Sequence, residues 1–285
     1  IAAKKAAKSA GKPRKWRQLA IDGKVLRGTD RHVAPGREAH MVVSVYAVGT
    51  RRVCKQTLVE KKGKEPAAAM SLVEQLDLKG CVVSADALHT RPKWCRAVRQ
   101  RGGHYLLIVK GNRPELYEDI SLLFEAGPFP DLPEQQAQTV DKKHGRLEVR
   151  TLRISSALTD FLKPGWPDVA QVFQIERRVT RGEKSSCECA YGFTSLTAHH
   201  ATPHQVLDMI RSHWQIENVL HWRRDVTPGE DACQVSRGQT PAILATLNNL
   251  ILFLIDHTES RNAAETIRTF AAHPAKALAL IMSPI

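Results

Sequence analysis

Arg-Ser-His-Trp-Gln-Ile-Glu-Asn-Val-Leu-His-Trp-Arg-Arg-Asp-Val-Thr-Pro-Gly-Glu-Asp, running from Arg211 to Asp231, is the stretch on which the reading of this chain turns. Its first half, with the residues just before it, predicts a helix. Thr202 is placed to cap it, Pro203 suits a first helical position that needs no N–H, and Gln205 completes a capping box. Leu207, Ile210 and Trp214 recur at i, i+3 and i+7, which sets one apolar stripe toward a core, and Glu217 continues it. A carboxylate on a buried face needs a partner, because an unpaired buried charge is costly and tends to protonate instead. That partner is a metal or a base, and His213 and His221, each one turn away, are the plain alternative.

Upstream, Leu19 to Gly28 reads as a strand carrying Asp22 and then a turn. Met41 to Val48 and Val53 to Val59 are strands that the Gly49-Thr50 turn makes an antiparallel hairpin. Lys61 to Lys64 is a polar loop, and Pro66 opens a helix with Met70, Val73 and Leu76 on one side. Cys81 to Ala85 is a short buried strand with Asp86 at its carboxyl end. Thr90 and Pro92 start another helix, and Tyr105 to Val109 is a strand ending at Lys110-Gly-Asn112.

That order is α/β, antiparallel on one side and parallel on the other, and it fits a ribonuclease-H-like mixed sheet with flanking helices. Chemistry in such sheets collects beyond the carboxyl ends of parallel strands, where Asp86 falls, with Asp22 on the neighbouring central strand. From Arg113 the texture changes. Pro128, Pro130, Pro133, Pro164 and Pro167 punctuate it, and Leu147 to Ile154, Val169 to Val179 and Cys187 to Phe193 alternate like strands, so a mostly β insertion precedes the Glu217 helix. Thr240-Pro241 begins a further helix to about Asp256. The expected organisation is a basic tail or linker over 1–17, a first part of the catalytic domain over 18–112, a β-rich insertion over 113–200, and its completion with C-terminal helices over 201–285.

The chain has 285 residues, 42% of them hydrophobic, a net charge of +13 and a pI near 9.7. Such a balance favours a polyanionic partner, and nucleic acid is the commonest. Residues 1–17 hold seven Lys or Arg and no acid, so more than half of the net charge belongs to that tail. Among six cysteines the only close pair is Cys187-x-Cys189, weak evidence for zinc, and a reduced thiol set explains them better. No apolar run is long enough to span a membrane, and the start lacks the apolar core of a secretory signal. A cytoplasmic protein is the expectation.

Two strand-borne aspartates and a helix-borne glutamate suit two-metal phosphoryl transfer, in which ions about 3.5–4 Å apart serve the attacking and leaving oxygens. Spacing alone does not single them out of 29 acids. Ile21-Asp-Gly-Lys-Val-Leu-Arg-Gly28, Ala85-Asp-Ala-Leu-His-Thr90, Val109-Lys-Gly-Asn112, His144-Gly-Arg146 and His213 to Asp231 resemble, in order, the DDE transposases of bacterial insertion sequences, H-repeat-associated type. The resemblance implies Asp22, Asp86 and Glu217 as catalytic acids and metal ligands, two Mg²⁺ (or Mn²⁺) ions, and double-stranded DNA, both element ends and target, as partner. It implies cleavage at element ends and strand transfer into target DNA, with room for a homodimer on DNA. A remnant that has lost catalysis and acts by binding DNA is the alternative.

Lys24, Arg27, Lys110, Arg113, Arg211 and Arg224 flank these acids and are the expected phosphate contacts, each weighed against an ordinary solvated charge. Arg224 stands where the wider group carries a lysine, whereas Ile210 and His213 replace its tyrosine and arginine. Asp225, Glu230 and Asp231 rank below Glu217 as a third acid. His213, Glu217 and His221 lack the His-Glu-x-x-His order of a zinc hydrolase. Trp214 and Trp222 could stack on bases, but the stripe predicts Trp214 as core. His89 is a proton shuttle or a turn residue.

Overall fold

The computed structural model describes residues 15–30, 39–59, 63–127, 134–143, 145–258 and 262–282. The chain opens with β1 (Arg17–Val25), β2 (Met41–Ala47), β3 (Arg52–Val59), α1 (Glu65–Glu74), β4 (Cys81–Ala85), α2 (Pro92–Gln100), β5 (His104–Val109) and α3 (Pro114–Glu125). Four long strands follow, β6 (Glu134–Lys143), β7 (Arg146–Ser155), β8 (Gln171–Arg181) and β9 (Lys184–Thr194), with the short α4 (Thr159–Leu162) after β7. Then α5 (Pro203–His213) leads into a π-helical turn (Ile216–His221), α6 (Trp222–Val226), α7 (Thr240–Asp256), α8 (Ala263–Ala272) and α9 (Pro274–Met282). This is the expected α/β, ribonuclease-H-like order, with a β-rich insertion ahead of the Glu217 helix. Of the basic tail only residues 15–17 are described; Lys61, Lys62, Pro128, Pro130, Pro133 and His144 lie outside the described residues.

By its contacts the chain divides into two compact units, Ile1–Gln18 with Leu76–Ser212, and Leu19–Gln75 with His213–Ile285. The first holds the strand order β4-β5-β9-β8-β7-β6, with β4 and β5 parallel and the remaining pairs antiparallel. All five residues of β4 are buried, apolar but for Ser84, the near-continuous run that a parallel strand covered on both faces requires. α5 covers the insertion sheet: Val206, Leu207, Met209 and Ile210 pack with Leu152, Ile154, Phe173 and Leu106. The capping box forms as expected, since Gln205 N donates to Thr202 Oγ1 at 3.3 Å and Thr202 N donates to Gln205 Oε1 at 2.9 Å. The sequence pattern shows neither the helices α3 and α4 nor the strand β6. β6 is a polar edge strand in which only Ala137 is buried, so it shows no apolar alternation.

The second unit carries the antiparallel order β3-β2-β1, with β2 and β3 as the hairpin that Gly49-Thr50 predicted. α7 docks on β3 through Gln56, whose Nε2 donates to Thr246 Oγ1 at 2.6 Å while Asn249 Nδ2 donates to its Oε1 at 2.7 Å. Gly23 on β1 is a close-approach position, because a Cβ there would lie 2.8 Å from Glu65 Cδ. Among the described residues, no helix is long and apolar enough to cross a membrane.

Candidate functional site

Alternation along β1 puts Ala20, Asp22 and Lys24 on one face. The π-helical turn packs against that face, Ile216 and Leu220 burying with Ala20 and with Tyr46 and Val48 of the neighbouring strand and turn. Asp22 therefore meets the turn: His221 Nδ1 lies 3.6 Å from Asp22 Oδ2. Burial, with Arg224 and Lys24 nearby, pushes the His221 imidazole down to about 3, so at neutral pH it stands uncharged beside the carboxylate.

Two residues farther along β1, Lys24 is buried. Its Nζ lies 2.6 Å from Asp225 Oδ1 and 2.9 Å from Asp231 Oδ1. Burial raises the Asp225 carboxyl, whereas at Asp231 the effect of burial is outweighed by Lys24 and Arg27, which lower it. Arg27 is exposed, its Nε 3.6 Å from Asp231 Oδ2. Arg224 departs from its expected role as a phosphate contact: its side chain is fully buried, with Nε and Nη2 donating to Glu230 Oε1 at 3.1 and 2.8 Å. A guanidinium so enclosed fixes the segment after the turn rather than a ligand. Asp225, Glu230 and Asp231, weighed as rival acids, are the partners of these cations.

Glu217 is exposed, contrary to the buried stripe, and Trp214 is 54% exposed. The regular α-helix ends at His213, before Trp214, and the π-helical turn that follows, with more residues per turn, sets the inward positions at Ile216 and Leu220. Trp222 is exposed as well. Glu217 is thus displayed between two exposed tryptophans on a turn anchored over the strand of Asp22.

Asp86 belongs to the first unit, at the carboxyl end of β4, where its Oδ1 accepts from Leu88 N at 2.6 Å and caps the short turn Ala87–His89. The Lys110-Gly-Asn-Arg113 stretch braces that turn: Asn112 Nδ2 donates to Ala87 O at 2.7 Å and Arg113 Nε to Thr90 O at 2.8 Å. Lys110 is exposed. His89 is buried against Trp94, at 5.1 Å between ring centroids, which places it in the core. Arg211, on α5, is held by Asp141 at 2.6 Å. Sequence reading missed the bracing role of Asn112 and the contact of His221 with Asp22; the i, i+2 phase of Asp22 and Lys24 was the one available signal for the latter.

Among the described residues, no three His, Cys, Asp or Glu side chains stand where they would hold one ion. His213, Glu217 and His221 therefore form no preassembled ligand cluster. All six cysteines carry free thiols.

Comparison with known proteins matches residues 14–254 to the family described as "Transposase DDE domain". The "Uncharacterized protein in dhlA 3'region" of Xanthobacter autotrophicus is 34% identical over 183 residues, covering 64% of this chain and 61% of that protein. The "H repeat-associated putative transposase YhhI" of Escherichia coli K12 is 28% identical over 246 residues, covering 83% of this chain and 63% of that protein. The chain thus spans about three fifths of the length of these relatives. Among solved structures, a piggyBac transposase synaptic complex with hairpin DNA is similar at 12% identity and a TM-score of 0.49, covering 90% of this chain and 52% of that one.

Proposed function

The chain belongs to the transposase DDE domain family, and on that premise we propose that it is the catalytic part of a DNA transposase that cleaves DNA strands at element ends and joins them to target DNA. Asp22, Asp86 and Glu217 are the acids this reading assigns to the reacting phosphate. Double-stranded DNA is the partner, engaged as a homodimer, and a divalent metal, Mg²⁺ or Mn²⁺, is the expected requirement. The observation that supports it best is the display of Glu217: a solvent-facing carboxylate on a π-helical turn seated on the strand face that carries Asp22. Such turns concentrate at functional sites, because a wide turn needs compensation that a merely structural helix has no reason to keep.

Asp86 favours a second reading, a chain that binds DNA without cutting it, since its carboxylate already serves as a turn cap. One experiment separates the two. Purified protein is incubated with labelled element-end duplex, with and without Mg²⁺ or Mn²⁺, beside Glu217→Gln. Metal-dependent cleavage that the variant lacks supports the first reading; binding without cleavage under every condition supports the second.

A further inference from the structure

The register of the insertion sheet assigns its residues to faces. Leu152 and Ile154 of β7, Phe173 and Ile175 of β8 and Ala137 of β6 lie on the face covered by α5. Beyond that apolar half, the same face carries Asp141 and Lys143 of β6, Arg146, Glu148 and Arg150 of β7, Arg177 and Arg181 of β8, and Lys184 and Glu188 of β9. Arg211 of α5 joins them through Asp141. That is seven cations against three carboxylates, a surplus of four positive charges on one face.

The acids are consumed inside the cluster. Glu148, 3% exposed, is shared by Arg146 at 3.3 Å, Arg177 at 2.5 Å and Arg150. Asp141 serves Arg150 and Arg211, and Glu188 serves Arg177. Lys143, Arg181 and Lys184 form no ion pair among the described residues, and they stand at the two hairpin ends, where Lys143 faces Arg146 and Arg181 faces Lys184 across the strands. Arginines already held rigid by neighbours lose little freedom when a phosphate arrives.

We propose that this distal face is a binding site for the phosphate backbone of duplex DNA, with Lys143, Arg181 and Lys184 as its outer contacts. It rests on the reading of the chain as a DNA-acting protein and places a contact surface where that reading had named only Arg211. Charge complementarity selects the occupant, and the strand residues assigned to the charged half of this face include no aromatic, which makes the contact one of backbone rather than base.

The test compares the triple variant Lys143→Ala, Arg181→Ala, Lys184→Ala with the double variant Lys142→Ala, Arg178→Ala, whose residues lie on the opposite face. Duplex affinity is measured against salt for two unrelated sequences. The triple variant is expected to flatten the slope of log K against log salt by about 3 and to weaken both sequences alike, while the opposite-face variant changes it by less than about 1. Equal effects of the two variants, or no effect of the triple variant, overturn the site while leaving the DNA-acting reading in place. Wild-type protein that binds no DNA overturns both.

Discussion

Lys24 Nζ and Asp225 Oδ1 stand 2.6 Å apart, with 7% of the lysine side chain exposed. The contact ties the segment behind the Glu217 turn to the strand that bears Asp22, so a residue expected at the DNA is instead part of what sets the acids. Lys24→Met should cost about 3 kcal/mol, because it leaves two carboxylates short of their cation, with Lys24→Arg between it and the wild type. DNA affinity of folded variant and its salt slope should not change. A slope smaller by about 1 would restore Lys24 to the phosphate contacts.

Arg224→Ala should cost about 3–5 kcal/mol, since Glu230 is only 5% exposed and would be left charged and unpaired. Arg224→Met with Glu230→Met should recover most of that loss by removing both charges. Thermal unfolding of the three proteins decides it: a double variant no better than the single one would mean that the pair is worth more than its packing.

The Glu134 carboxyl is held below its ordinary value of 4.5 by hydrogen bonds from Arg153, against the opposing effect of burial. Both contacts from Arg153 are 2.8 Å. On acidification the unfolded chain takes up this proton first, so the stabilisation is whole above the ordinary value and is lost as pH falls through the lower folded value. Arg153→Met should lower stability by about 1–2 kcal/mol at pH 7 and flatten its decline below about pH 5. Unfolding curves that stay parallel to wild type across that range would refute this.

The cap that Asp86 forms is separable from the catalytic role proposed for it. Asp86→Asn keeps an oxygen that can accept from Leu88 N, so fold and DNA binding should survive while cleavage is lost; Asp86→Ala should in addition cost about 1 kcal/mol for the missing cap. Retained cleavage in Asp86→Asn would remove it from the catalytic acids.

Much of the fold was legible because local chemistry agreed with tertiary context. Thr202 and Gln205 cap as written, Gly49-Thr50 turns the hairpin, and the apolar run Cys81 to Ala85 is a buried strand. Edge strand β6 was illegible since its Gln and Lys residues are exposed. At the site, the positions of Asp22 on a strand and of Asp86 just beyond one were readable, but Lys24 and Arg224 looked like surface cations because their partners lie 201 and 6 residues away in a polar segment. Trp214 failed for another reason: period counting assumes an unbroken α-helix. Ile216→Ala should therefore cost about 2–5 kcal/mol and Trp214→Ala under about 0.5 by thermal or denaturant unfolding.

The π-helical turn is in effect a stored frameshift. One surplus residue advances the helix by about 100° of rotation, so the segments before and after it obey different inward phases. Deleting one residue between Gln215 and His221 should make a more regular helix and a poorer protein. It would turn the glutamate's neighbours onto the face now held by Ile216 and Leu220, trading display of a carboxylate for regularity of the backbone.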